Sequence, residues 1–325
     1  AIGNPIRLDS PATQSAVRGQ TLQAWLGDQR IRIEGAPATL ANGLNEAQAA
    51  WIDYRSPPEN AASPLGDLMM AGPGWLRVTP KEGQPERAIE ARWKAKVDGS
   101  PAVVLQRDHT GQPVLEVMGH PEIAASLLGR MVSDSLRIRL REVPADGPDG
   151  PAIELGSSSN RNDVALLAER IDAIGAVEFR GKELTGRTNS LVAWLRPMEA
   201  SKSSGSSKLS SRSQNANSGP AKRNYVLSAE QVQLDVGLFG RRAEPTGLLC
   251  NGSVRFEEAV LVGSGATPLR VVGEQLRVDG LHEEGIRGSE RPGLAQISTK
   301  GMRLWAKELH ADQLRNRLWI DGPGD

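Results

Sequence analysis

Residues 68–74 read Leu-Met-Met-Ala-Gly-Pro-Gly, and residues 318–324 read Leu-Trp-Ile-Asp-Gly-Pro-Gly. A short apolar stretch stopped twice by the same Gly-Pro-Gly constrains the fold more than any other feature of the chain. It asks for a repeated unit of strand and corner. After the first copy a new strand begins at once (Trp75-Leu76-Arg77-Val78), whereas after the second only Asp325 remains. A chain that starts on Ala1 and stops inside its own repeat is expected to be a piece of a longer protein.

The strands announce themselves by alternation. Arg30-Ile31-Arg32-Ile33-Glu34 sets two isoleucines against three charges, and Ser135-Leu136-Arg137-Ile138-Arg139-Leu140-Arg141 keeps the pattern going. Val232–Val236, Leu276–Asp279 and Leu318–Asp321 follow it too. Successive strand side chains point to opposite faces, so each segment has one aliphatic and one solvated face. Glycine (35) and proline (21) are numerous, as many short strands with tight connections require.

Gly-x-Pro begins at Gly3, Gly35, Gly83, Gly99, Gly111 and Gly119, mostly leading into an apolar stretch. Glycine accepts positive φ at a corner, and proline is tolerated at a strand's first residue. A second element, Gly-x-x-Leu, recurs at Gly19/Leu22, Gly181/Leu184, Gly273/Leu276 and Gly301/Leu304. Residues 121–131 and 163–174 combine good helix formers with near-helical spacing. They are read as strands because each leads into an alternating strand or a Gly-x-x-Leu element; a short helix closing one end of the stack is the alternative. Residues 201–224 are Ser-rich, carry basic residues and no acid, and have nothing to bury. They are expected to be a disordered loop, a long hairpin loop rather than a linker, between a strand stack over 1–200 and its continuation over 225–325.

Acids and bases balance at 39 each, so no net field steers the chain to nucleic acid. The single Cys250 excludes an internal disulfide framework. His109, His120, His282 and His310 are scattered, with no spacing that preloads a metal site. Gly175–Glu183 only approximates a phosphate loop, and no Gly-x-Ser-x-Gly elbow occurs. Asn251-Gly252-Ser253 reads as an Asn-Gly hairpin turn or a glycosylation triplet. These readings predict no catalytic residue, no metal, no cofactor and no enzyme; a polysaccharide-active β-solenoid would need acids gathered on one sheet face. Arg137, Arg139 and Arg141 could grip phosphates or acidic sugars, but acids on the next strand are the expected partners. Trp25, Trp51, Trp194, Trp305 and Trp319 fall in phase with polar neighbours, which predicts structural cover on the outer face rather than a contact surface. Trp93 shares its face with Ala91, Ala95 and Val97.

The phrases Gly301–Asp312 and Asn316–Gly322, with fainter echoes at 15–37 and 37–78, resemble the organic-solvent-tolerance (OstA-like) family, the β-jellyroll modules of lipopolysaccharide transport. The resemblance implies an all-β fold, a folded-over antiparallel β-jellyroll (β-taco) built from degenerate strand–turn repeats. It implies a periplasmic or cell-envelope, non-enzymatic module that binds or conducts amphipathic lipid along an apolar groove. Envelope transport proteins and head-to-tail copies of itself would be its partners. Ile31, Ile33, Leu136, Ile138, Leu140, Val232, Leu234, Leu276, Val278, Leu318 and Ile320 would line that groove. A closed, packed scaffold that joins envelope components and binds no ligand is the other reading of the same repeats. The chain is longer than one module of that family and carries the Ser-rich insertion and only three Phe.

Overall fold

The computed structural model describes residues 2–10, 15–42, 45–58, 65–79, 89–125, 129–144, 152–154, 164–181, 184–198, 224–239, 242–259, 270–279, 286–288, 295–299, 302–306, 309–312 and 317–320; from Val278 onward its account is of the backbone. Every regular element among these residues is a strand. In chain order they are β1 (Ile2–Ser10), β2 (Ser15–Trp25), β3 (Arg30–Asn42), β4 (Asn45–Arg55), β5 (Asp67–Ala71), β6 (Gly74–Val78), β7 (Ile89–Trp93) and β8 (Val103–Arg107). Then come β9 (Pro113–Met118), β10 (Glu122–Ala125), β11 (Gly129–Val132), β12 (Ser135–Pro144), β13 (Ala152–Glu154), β14 (Val164–Arg180), β15 (Leu184–Pro197) and β16 (Asn224–Ser228). The last are β17 (Gln231–Phe239), β18 (Arg242–Ala259), β19 (Arg270–Asp279), β20 (Ile286–Gly288), β21 (Ala295–Thr299), β22 (Met302–Ala306), β23 (Leu309–Asp312) and β24 (Arg317–Ile320). The two helix-like stretches are therefore strands: β10 with β11, and the first half of β14. Apolar residues with helical spacing still pair into a ladder when both neighbouring strands are waiting to be bonded.

Ten strands close into an antiparallel barrel through the circuit β4, β5, β8, β9, β12, β14, β11, β10, β7, β6 and back to β4. Closure removes the unpaired edges that an open sheet exposes. Outer strands continue from both sides: β3, β2 and β1 from β4, and β15 to β19 from β14.

The barrel has two walls, and the same chain segments build both. Strand β4 bonds β6 through Glu46–Gln48 and β5 through Trp51–Arg55. β14 likewise bonds β12 with its first half and β11 with its last three residues. Between the halves lies a corner. Register shifts mark it between Arg18 and Thr21 in β2, Glu34 and Ala38 in β3, Ile174 and Val177 in β14, and Asn251 and Val254 in β18. In the shorter strands the corner is the joint itself, at Gly72-Pro73, Gly119–Pro121 and Ser133-Asp134.

This explains Gly-x-Pro. Gly3 and Gly35 sit at corners within β1 and β3, Gly99 and Gly119 in the joints between β7 and β8 and between β9 and β10, and Gly111 in the hairpin turn between β8 and β9. Gly83 lies outside the described residues. Successive corners are hydrogen-bonded to one another. Lys94 N donates to Gly119 O (2.7 Å), Ser133 N to Pro121 O (3.1 Å), Asp134 N to Gly175 O (2.9 Å) and Glu230 N to Gly252 O (3.0 Å). Asn251-Gly252-Ser253 is accordingly a corner inside β18, not a hairpin turn. Gly252 and Ser253 take φ of +76° and +47° there, and the strand resumes.

Two further expectations change. β15 runs parallel to both β16 and β17, so the connection after Pro197 is a crossover rather than a hairpin loop. Residues 201–223 lie outside the described residues, and Asn224 already belongs to β16. β7 ends at Trp93, which leaves Ala95 and Val97 exposed in a corner loop while Ala91 and Trp93 are buried.

Candidate functional site

The pairing registers turn the alternation of single strands into continuous rows facing the interior. On the first wall, successive partners are Leu22, Ile33, Ile52, Met70, Val103, Val117, Leu136, Ala173, Leu191, Val232, Cys250 and Leu276. On the second wall they are Val17, Leu40, Ala47, Leu76, Ala91, Ile123, Met131, Phe179, Gly186, Leu227, Phe256 and Val271. Residues of both rows belong to one apolar cluster. The long strands β2, β3, β4, β14, β15, β18 and β19 contribute to both rows and the shorter ones to a single row, and burial at about 25 cal/mol per Å² rewards keeping the register.

The sequence-predicted residues fall into this interior. Ile33, Leu136, Val232 and Leu276 are buried members of the first-wall row. Ile31, Ile138 and Leu234, half-buried, pack against the same cluster from the adjacent row. Leu140 is buried in a smaller cluster with Leu105 and Leu166. The side chains of Val278, Leu318 and Ile320 lie outside the described residues, although the backbone register pairs Val278 with Leu248 and Leu318 with Ala311.

The second wall was not foreseen. Its halves are segments of three to five residues beside a corner, as in Gly74–Val78 or Gly129–Val132, too short to display alternation. A Gly or Gly-x-Pro followed by two aliphatics at i, i+2 was the signal available.

The interior is not uniform along the stack. From β3 to β19 the first-wall row is nearly sealed, with Met70, Val103 and Ala173 at 0% exposure, whereas Leu76, Ile123, Met131 and Phe179 on the second wall are half-buried. At β2 and β3, Val17, Leu22, Ile31 and Leu40 are only half-buried, and Leu8 on β1, partner of Val17, is 45% exposed. Among the described residues of the two rows, cover is therefore least at Leu8 on β1.

The outer face is polar and cross-braced. Arg30 grips Asp53 with two bonds, Nε to Oδ1 at 2.8 Å and Nη2 to Oδ2 at 2.6 Å, and Asp53 is buried. Guanidinium groups lie over the outer tryptophans: Arg30 over Trp25 (4.9 Å), Arg32 over Trp51 (4.5 Å) and Arg170 over Trp194 (4.7 Å). Trp51 and Trp194 are half-buried beneath these arginines, whereas Trp25 stays 38% exposed. Trp305 and Trp319 have side chains outside the described residues. Trp93 is in the core, its Nε1 donating to Gly72 O at the neighbouring corner (2.9 Å). His120 sits on a corner, exposed, with Nδ1 2.9 Å from Asp134. Among the described residues no group of three His, Cys, Asp or Glu could hold a metal ion.

Cys250 has no exposed surface, and burial pushes its thiol up to about 12. The protonated form is the one the fold favours, so its contribution to stability is whole below pH 9.0 and is lost as pH rises towards about 12. Each unit in that window costs about 1.4 kcal/mol. Urea midpoints of the wild type should fall more steeply with pH over this range than those of Cys250→Ala. A coloured disulfide reagent at pH 8 should label Cys250 only in urea; labelling of the folded protein would show that the interior admits solutes there.

No protein-family model matches the chain, and no curated protein or solved structure does either.

Proposed function

We propose that this chain is a non-enzymatic module of the cell envelope that binds amphipathic lipid, of the lipopolysaccharide kind, between the walls of a folded-over β-jellyroll. The observation that carries the reading is the pair of facing aliphatic rows, continuous from strand to strand, with Val17, Leu22, Ile31 and Leu40 half-buried at β2 and β3. Acyl chains entering there exchange water for Val17, Leu22, Ile31 and Leu40, gaining about 0.8 kcal/mol per buried CH₂. Head groups stay outside with the charged residues. Nothing in this mechanism needs a reacting group; the interior offers aliphatic surface and the walls part to admit a chain. Ile31, Ile33, Leu136, Ile138, Leu140, Val232, Leu234 and Leu276 are the described residues assigned to lining it.

A photo-crosslinking residue at Leu22 should form adducts with a labelled acyl chain, and one at Trp25, on the outer face, should not. Organic extraction of the purified protein should release an amphiphile detectable by mass spectrometry. Absence of any bound amphiphile together with no Leu22 adduct would sink the proposal.

A second reading has its own support. The nearly sealed first-wall row from β3 to β19 suits a packed scaffold that joins envelope components and carries no ligand. The same two measurements decide, since the scaffold predicts neither extracted lipid nor crosslink.

A further inference from the structure

The outer face of the first wall holds a guanidinium group that no carboxylate of the described residues balances. Along β12, Arg137, Arg139 and Arg141 project outward between the inward Leu136, Ile138 and Leu140. Arg137 Nε lies 3.5 Å from Glu116, close enough for charge pairing but without hydrogen-bond geometry. Arg141 Nε lies 3.2 Å from Glu169.

Glu169 is the extra residue of a bulge: Arg139 pairs with Arg170, and Leu140 with Ala168. The bulge turns Glu169 to Arg141 and to Gln112, whose Nε2 donates to it at 2.9 Å. Arg139 is left between Val114 on one side and Arg170 on the other. Like charges directly opposite each other in a ladder are unfavourable. Arg170 cannot swing away, because its Nε donates to Asp172 (2.7 Å) and its plane lies over Trp194 (4.7 Å). The Nε groups of Arg137 and Arg139 are shielded from water and have no acceptor. Among the described residues Arg139 has no ion-pair partner.

We propose that Arg139 and Arg170, flanked by Arg137, form a site for an oxyanion of the phosphate class. A phosphate beside Arg139 offers its fork paired oxygens and supplies the anion it lacks, with Arg170, already held by Asp172, contributing only the edge which that carboxylate leaves free, and it gives the Arg137 and Arg139 side chains an acceptor. The site faces away from the apolar interior, so it stands or falls separately from lipid binding between the walls.

Calorimetric titration of the full chain with inorganic phosphate at low ionic strength tests it. The wild type binds, and Arg139→Gln weakens binding at least tenfold. Arg139→Lys, which keeps the charge and loses the fork, falls between them. Arg187→Gln, which removes an exposed partner of Glu178 on the second wall, leaves the affinity unchanged. Urea midpoints of Arg139→Gln should equal or exceed that of the wild type, because a repulsive contact has gone.

Co-sedimentation with phosphatidylcholine vesicles carrying phosphatidic acid identifies the source. Binding that needs the phosphatidic acid and Arg139 supports a lipid headgroup, while binding of free phosphate alone supports a soluble phosphate. Equal phosphate affinity of wild type and Arg139→Gln, or no binding by the wild type, overturns the proposal.

Discussion

Gly119→Ala should lower the free energy of unfolding by about 3 kcal/mol, while Gly111→Ala, at nearly the same backbone angle, should cost only about 1 kcal/mol. The two glycines have φ of +82° and +81°, so the intrinsic penalty for a Cβ in the left-handed region is common to both. Their surroundings differ. A Cβ on Gly111, in the hairpin turn between β8 and β9, meets nothing within 4 Å. A Cβ on Gly119 would stand 2.2 Å from the carbonyl oxygen of Lys94, and Lys94 N donates back to Gly119 O at 2.7 Å. Backbone from the next strand therefore occupies the space, and relief requires the two corners to part. That breaks the contact that aligns β7 with β10 and places Trp93 in the core. Urea unfolding of both variants measures the difference. Equal losses would mean that the corners do not lean on one another, and the idea of a bonded column joining the walls would go.

The same corners show how far the chain could be read by eye. Alternation located the first wall, since Leu136–Arg141 and Arg30–Glu34 keep period two over five or more residues and can be nothing but half-buried strands. Gly-x-Pro was recognised as a corner, but it marks a bend inside a strand at Gly3 and Gly35, a joint between strands at Gly99 and Gly119, and a hairpin turn at Gly111. A mid-strand corner and a hairpin turn ask the same of a glycine, positive φ and no Cβ, so local chemistry cannot tell them apart. The difference lies in what the strand bonds on the far side, and that is non-local. This is why Asn251-Gly252 resembles a hairpin turn and is instead a corner within β18. The orientation of β16 was hidden for a similar reason: parallel and antiparallel partners of β15 would carry identical alternation. On the first wall Ile33, Leu136, Val232 and Leu276 were thus legible from alternation, whereas Ile52, Met70, Val103, Val117, Ala173 and Leu191, the second wall and the circuit closing the barrel were not. The Arg137–Arg141 ladder was half legible. Acids do meet Arg137 and Arg141, but a single bulge at Glu169 decides that Arg139 meets Arg170, and bulges leave no mark in composition.

The second wall makes the sharpest demand on side-chain size at Phe179 and Gly186, which are direct partners on β14 and β15. A Cβ on Gly186 would lie 2.2 Å from Phe179 Cζ and 3.0 Å from Leu227 O. The ring thus lies over the glycine and occupies the position that Gly186 leaves empty. Gly186→Val is expected to destabilise by about 2–3 kcal/mol through overpacking, although valine is much the better strand former. Phe179→Ala alone should cost about 2–3 kcal/mol, at the low end for a phenylalanine because the ring is only half-buried. If the two residues share one volume, the double variant costs about the same as Phe179→Ala by itself, since the valine fills the space that the ring has vacated. A coupling of about 2 kcal/mol in the double-mutant cycle is therefore predicted. Simple additivity of the two losses would show that Phe179 does not lie over Gly186, and that β14 and β15 keep another register beyond the Gly175 corner. That outcome would take the second-wall row with it, and with the row the facing surface on which lipid binding depends.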